Sequence, residues 1–177
     1  MSRYPGIFLD RDGTVIHDTG YIGDPDLVEF MPAVFPALRR FQDEGYRLVV
    51  ISNQSGIGRG VITQAQYELV ARRIADRLSE YGIQTATYYC PHSPDDLCLC
   101  RKPNPFLLLQ AAQDLAIDLA RSYMIGDRLT DVEAGTAAGC KTILFGQTAN
   151  SEVAVWDPPP DYVCPDWPCV SRLIRTA

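Results

Sequence analysis

Short runs rich in β-branched and other apolar residues alternate with segments of helical period along almost the whole chain, and this alternation limits the fold more than any other feature. Strand, helix, strand is the pattern of βαβ units, which build a mostly parallel sheet with helices on both faces. Strands are expected at 6–9, 47–52, 85–89, 122–125, 142–145 and 161–164. The first helix should start at Pro32, whose missing N–H is harmless at the first helical position, and run to Glu44 before Gly45 ends it. A second carries the capping box Thr63-x-x-Gln66, runs through Leu69, Ile74 and Leu78, and stops at Gly82. A third begins at Asn104-Pro105 and a fourth near Thr130-x-x-Glu133, ending at Gly139. Asp157-Pro158-Pro159-Pro160 is a stiff connector to the last strand and a short terminal helix. The expected fold is a three-layer, Rossmann-like, doubly wound α/β parallel sheet, with residues 1–177 forming a single domain. The loop over 10–31 is long for such a fold yet too short for an independent lid, so no separate cap domain is expected.

In an open parallel sheet, ligands bind at the carboxyl ends of the strands, near the point where strand order reverses. Four of the expected strands end in polar residues: the first in Asp10-Arg11-Asp12-Gly13-Thr14, the second in Ser52-Asn53-Gln54, the third in a cysteine loop, the fourth in Gly126-Asp127-Arg128. One edge therefore gathers Asp10, Asp12 and Asp127, a set of like charges that calls for a divalent cation among its oxygens, and Mg²⁺ is the hard, oxygen-seeking choice. Alone, Asp-x-Asp-Gly-Thr is a common tight turn. Here it follows a strand that ends on its first Asp, and Ser52 and Asp127 recur at later strand ends, so the pattern points to a catalytic site.

Through Phe8-Leu9-Asp10-Arg11-Asp12-Gly13-Thr14, Ser52-Asn53, Lys102 and Gly126-Asp127-x-x-x-Asp131, nearly the whole chain resembles the haloacid dehalogenase superfamily of phosphotransferases. The resemblance implies that Asp10 is a nucleophile forming an aspartyl-phosphate and that Asp12 protonates the leaving oxygen and then activates water. It also implies that Ser52 and Lys102 hold the phosphoryl oxygens and that Asp10, the Asp12 backbone carbonyl and Asp127 ligate Mg²⁺. The chemistry is consistent on its own terms, because a carboxylate attacks a phosphoryl group only when that group's charge is neutralised, and two successive displacements need a second acid/base nearby. Asp131 either orients the site from behind or simply favours a helix N-terminus; both readings stay open.

Cys90, His92, Cys98 and Cys100 lie within eleven residues and form a Cys₃His set, matching a closed structural Zn²⁺ site. Its expected role is to rigidify a short polar loop so that Arg101 and Lys102 are aimed at the site. Zinc loops of this kind resemble those of the D,D-heptose 1,7-bisphosphate phosphatases and the related histidinol-phosphate phosphatases. Asp18-Thr19-Gly20-Tyr21, Asn53-Gln54-Ser55-Gly56-Ile57-Gly58-Arg59-Gly60 and Tyr88-Tyr89-Cys90-Pro91-His92 are similar to the heptose group, whereas the short gap between His92 and Cys98 is similar to the histidinol-phosphate group. The heptose resemblance implies hydrolysis of the 7-phosphate of D-glycero-D-manno-heptose 1,7-bisphosphate.

Sixteen Lys and Arg against 22 Asp and Glu give a net charge of −6, so no broad basic footprint for nucleic acid or anionic membrane is expected, and an anionic ligand must meet local cations. Arg59, Arg101 and Arg128 are the candidate forks for phosphate. Asp18, Thr19, Gly20 and Tyr21 are candidates for sugar hydroxyls, although Thr-Gly is also an ordinary turn. Ser52, Asn53, Gln54 and Ser55 complete the expected substrate contacts, and Gly56, Gly58 and Gly60 are weaker candidates for a phosphate cradle. The expected partner is a small phosphorylated sugar, bound by a monomer.

His17 reads as a surface residue and Cys140 as a buried thiol. Without an apolar leader ahead of the first strand, a cytoplasmic protein is expected, and with it free thiols at Cys164 and Cys169. The competing class is a non-enzymatic, receiver-like phosphoacceptor on a similar sheet. Such modules carry their acidic pair and phosphoacceptor on different strands, whereas Asp10 and Asp12 share one.

Overall fold

A computed structural model of the chain describes residues 3–146 and 156–174. Its strands are β1 (Tyr4–Leu9), β2 (Arg47–Asn53), β3 (Thr85–Cys90), β4 (Ile117–Gly126), β5 (Lys141–Phe145) and β6 (Tyr162–Cys164). They form one sheet in the order β3-β2-β1-β4-β5-β6, and every pairing is parallel. The helices are α1 (Val34–Asp43), α2 (Ser55–Gly58), α3 (Gln64–Glu80), α4 (Phe106–Asp114), α5 (Leu129–Ala138) and α6 (Trp167–Leu173). From β1 the chain moves outward to β2 and β3, then returns to lay β4 on the other side of β1, so strand order reverses between β1 and β4. The crevice of a doubly wound sheet opens at that reversal.

Alternation along the central strands divides the core into two layers. Ile7 and Leu9 of β1 pack with Leu38, Phe41, Val70, Ile74 and Trp167 on one face, while Phe8 packs with Val49, Leu108, Ala111, Met124 and Ala134 on the other. The capping box at Thr63 forms as expected: its Oγ1 accepts from Gln66 N, and the Gln66 side chain accepts from Thr63 N. Tyr67, Val70, Ile74 and Leu78 form the buried stripe of α3, whereas Leu69 faces solvent.

Four local expectations are corrected. Pro32 lies outside α1, because Ala33 takes a left-handed conformation (φ 62°) and the helix starts at Val34. The start of α5 is tied by Asp131, whose Oδ2 accepts from Arg128 N at 3.1 Å, instead of by a Thr130–Glu133 box. β4 begins at Ile117, well before residue 122, and its register against β1 shifts between Pro5 and Ile7. Ser122 bridges the irregularity, accepting from Gly6 N at 2.8 Å and donating to Asp118 O at 2.6 Å. Cys164 and Cys169 are joined as a disulfide, not free thiols. The Asp166 side chain accepts from Cys169 N at the start of α6, and the turn so formed brings the two Cα atoms to 5.5 Å, within disulfide reach.

Among the described residues no helix is long and apolar enough to cross a membrane. Between Leu9 and α1 the chain forms turns, bends and a 3₁₀ turn at Pro25–Leu27.

Candidate active site

Asp10 follows β1 directly, and its backbone N–H donates to Ile125 O of β4 at 2.9 Å, which fixes the residue at the strand reversal. Asp127 follows β4, and Asp131 lies one turn further on in α5. Carboxylate oxygens of Asp10, Asp127 and Asp131 all lie within 4.8 Å of one another. Burial pushes Asp127 up to about 7, with Asp10 and Asp131 adding to the shift and Arg128 opposing it. Burial also raises Asp10 to about 6; the Lys102 ammonium opposes this and Asp131 reinforces it. Asp127 Oδ1 is buried without a hydrogen-bond partner, whereas Asp131 Oδ1 is paired with the Lys102 ammonium at 2.6 Å. Three hard oxygen donors, one of them with an unsatisfied buried atom, suit a divalent cation of the Mg²⁺ type. The Asp12 carboxylate is outside this set.

Lys102 enters from the loop after β3 and is 2% exposed. Its Nζ donates to Asp10 Oδ1 at 2.6 Å and to Ile51 O at 2.7 Å, and it lies 2.6 Å from Asp131 Oδ1. Burial works against the ammonium charge, but Asp10 and Asp131 outweigh it and the pKa is raised. Asn53 borders the cleft, and its amide grips the lysine backbone, with Nδ2 donating to Lys102 O and Oδ1 accepting from Lys102 N, both at 3.0 Å. Asp131 therefore does both things that were left open: it ties the helix start and pairs with the lysine.

Asp12 is held by its neighbour. Arg11 Nε lies 3.1 and 3.0 Å from the two carboxylate oxygens, and Nη2 donates to Oδ1 at 2.9 Å. The Arg11 guanidinium is 2% exposed and sits 5.6 Å from the centre of the Tyr67 ring. Burial raises the Asp12 pKa, with Arg11 acting against the shift. The sequence reading missed Arg11; the available signal was a fixed donor placed between two acids.

A cleft of ≈ 1010 Å³ opens over these groups and reaches the substrate candidates Asp18, Gly20, Tyr21, Ser52, Ser55, Arg101 and Arg128. Arg128 Nη2 donates to Asp18 Oδ2 at 2.8 Å across its mouth, and Tyr21 OH lies 3.4 Å from Ser55 Oγ. Thr19 borders an adjoining groove instead. Arg59 is not brought to the cleft, because α2 is a single turn that delivers it, exposed, past the helix end. Gly56 and Gly58 are sites of close packing, whereas Gly60 (φ 68°) has nothing within 4 Å of where a Cβ would stand. A Cβ on Gly56 would lie 2.6 Å from the Tyr21 ring, and one on Gly58 would lie 2.9 Å from Pro91 O in the cysteine loop. His17 is exposed and Cys140 is a buried thiol, both as expected.

In that loop, Cys90 Sγ lies 3.5 Å from His92 Nδ1, 3.6 Å from Cys98 Sγ and 3.0 Å from Cys100 Sγ, while His92 Nδ1 lies 3.2 Å from Cys100 Sγ. All four donors fall within 4.8 Å of one another. A tetrahedral ion with Zn–S bonds of about 2.3 Å needs donor separations of roughly 3.5–3.8 Å, so the set fits with small outward movement.

Residues 99–168 match the HAD-hydrolase-like family model. The chain is 41% identical over 167 residues to the D-glycero-beta-D-manno-heptose-1,7-bisphosphate 7-phosphatase of Salmonella typhi, a match covering 90% of this chain and 89% of that protein. It is 43% identical over 154 residues to the protein of the same name from Escherichia coli (strain K12), covering 82% and 81%. Among solved structures, that of the D,D-heptose 1,7-bisphosphate phosphatase from B. bronchiseptica complexed with magnesium and phosphate has a TM-score of 0.85 at 31% identity, covering 96% of this chain and 97% of that one.

Proposed function

Since this chain belongs to the haloacid dehalogenase-like phosphatases, and within them to the D-glycero-beta-D-manno-heptose-1,7-bisphosphate 7-phosphatase family, we propose that it hydrolyses the 7-phosphate of that sugar bisphosphate. The observation that carries the reading is the convergence of Asp10, Lys102 and Asp131 beneath a cleft that also presents Arg101 and Arg128. Asp10 attacks the phosphorus; the bond to the sugar oxygen breaks, and that oxygen leaves with a proton from Asp12. Asp12, now a carboxylate, takes a proton from water as the water attacks the aspartyl-phosphate, so that inorganic phosphate leaves and Asp10 is restored. Ser52 and Lys102 hold phosphoryl oxygens. Asp10, Asp127 and the Asp12 carbonyl hold Mg²⁺, with Asp131 in reach; the bound ion neutralises phosphoryl charge.

A bisphosphate brings a second dianion, and the planar forks of Arg101 and Arg128 provide cations for it on a chain of net charge −6. Histidinol phosphate carries positive groups there, which these arginines would repel. Among the described residues no cap domain covers the cleft, and Cys90, His92, Cys98 and Cys100 hold a structural Zn²⁺ that stiffens the loop ahead of Arg101.

Phosphate release with Mg²⁺ from wild type, Asp10→Asn and Asp12→Asn tests the chemistry. Asp10→Asn should be inactive but folded. Asp12→Asn should lose about 10²- to 10⁴-fold in kcat. Substantial turnover by Asp10→Asn would exclude the covalent route.

A further inference from the structure

We propose that Gln54 is a positioning residue that sets the orientation of both Asp12 and the Ser52 hydroxyl, and does not bind substrate; this rests on the phosphatase reading above. Gln54 is 4% exposed at the end of β2. Its Nε2 donates to Asp12 Oδ2 at 3.0 Å and to Ser52 Oγ at 2.6 Å, and its Oε1 accepts from Arg11 Nη2 at 3.1 Å. Guanidinium nitrogens only donate and an ionised carboxylate only accepts, so the amide has a single workable orientation, with oxygen toward Arg11 and nitrogen toward Asp12. Both amide protons are then committed.

The consequence falls on Ser52. Because its oxygen accepts from Gln54, its own proton must point elsewhere, and Ser52 borders the cleft where the phosphoryl group sits. A hydroxyl free to rotate would spend part of its time presenting lone pairs to an anion. Gln54 occupies one of the two lone pairs and so favours the rotamer in which Ser52 meets phosphate as a donor. At its other contact Gln54 closes a ring with Arg11 around the Asp12 carboxylate, so the acid/base and the phosphate donor are held by one side chain. Both protons of the Gln54 amide are thereby spent on Asp12 and Ser52, leaving none for a sugar.

Two variants separate positioning from binding. Gln54→Met keeps length and removes the hydrogen bonds. Gln54→Glu keeps shape but turns a carboxylate toward Asp12 and gives the Ser52 proton an inward acceptor. Each is assayed on the heptose bisphosphate and on phenyl phosphate, which has a phosphoryl group and no sugar, with thermal melts to confirm folding. Positioning predicts that kcat falls about 10- to 100-fold in Gln54→Met by a similar factor on both substrates, that KM for the bisphosphate changes little, and that Gln54→Glu is worse. A loss confined to the bisphosphate and seen mainly in KM, or a Gln54→Glu variant as active as wild type, would overturn the proposal. Should wild type ignore the bisphosphate, the substrate assignment fails while the phenyl phosphate comparison still decides the role of Gln54.

Discussion

Lys102 shows how the residues of this site depend on one another. A buried ammonium without counter-charge is strongly disfavoured, and here Asp10 and Asp131 supply it from β1 and α5 at 2.6 Å each. The remaining acid, Asp127, has only a distant partner in Arg128 Nε, 4.0 Å away. Its pKa near 7 and that of Asp10 near 6 follow from burial and mutual repulsion, against an ordinary 3.8. A carboxyl whose pKa is raised by folding contributes stability fully below its unfolded value, and that contribution is lost as pH rises through the folded value. The metal-free protein should therefore lose stability from these two groups between about pH 4 and pH 7, and Mg²⁺ should restore it. Melting temperatures with and without Mg²⁺ check this: the stabilisation should be larger at about pH 8 than at about pH 5, because protons and Mg²⁺ compete for the same oxygens. Equal stabilisation at both pH values would contradict it. Asp10, Asp12 and Asp127 could be read from the sequence because each ends or follows a strand, whereas Lys102, well beyond the end of β3, came with the family resemblance. The partners of Asn53 and Gln54 could not, since which of several nearby polar groups an amide meets depends on side-chain directions that strand spacing does not encode.

At the scale of elements, two loops owe their shape to interactions that no hydrophobic pattern reports. The cysteine loop after β3 exposes Leu97 and Leu99 at 105% and 70% and has little core of its own, which is where a metal on the four-donor cluster would matter most. One zinc per chain should copurify, and Cys98→Ser should lose the metal and lower the melting temperature together, as read by elemental analysis and calorimetry. A zinc-free wild type that melts like the zinc-loaded form would refute this. The C-terminal helix α6 is tied in differently. Trp167 is fully buried, and its Nε1 donates to Thr14 O in the catalytic loop at 3.0 Å, so the last element of the chain supports the first motif. Strands with strong β-branched runs, such as β2 and β5, are readable to within a residue. β4 is not, because its first half, Ile117 to Arg121, carries charges at Asp118 and Arg121 and pairs out of register with β1. Arg59 left the site for a related reason: the four-residue helix α2 does not show in a glycine-rich sequence that reads as a loop.

For the molecule as a whole, a sheet with reversed strand order brings four sequence-distant segments to one edge: the loops after β1, β2, β3 and β4. On a chain of net charge −6, the buried Lys102 together with Arg101 and Arg128 supplies positive charge at that edge, and a small dianionic ligand is the partner it suits. On the reading proposed above, this edge removes the phosphate distal to the anomeric carbon of the heptose bisphosphate. Phosphorus NMR of the reaction of wild-type protein with Mg²⁺ and D-glycero-β-D-manno-heptose 1,7-bisphosphate tests it most directly. The 7-phosphate resonance should disappear as inorganic phosphate grows in while the 1-phosphate persists. Loss of the 1-phosphate first, or no reaction under conditions where the same protein hydrolyses histidinol phosphate, would contradict it.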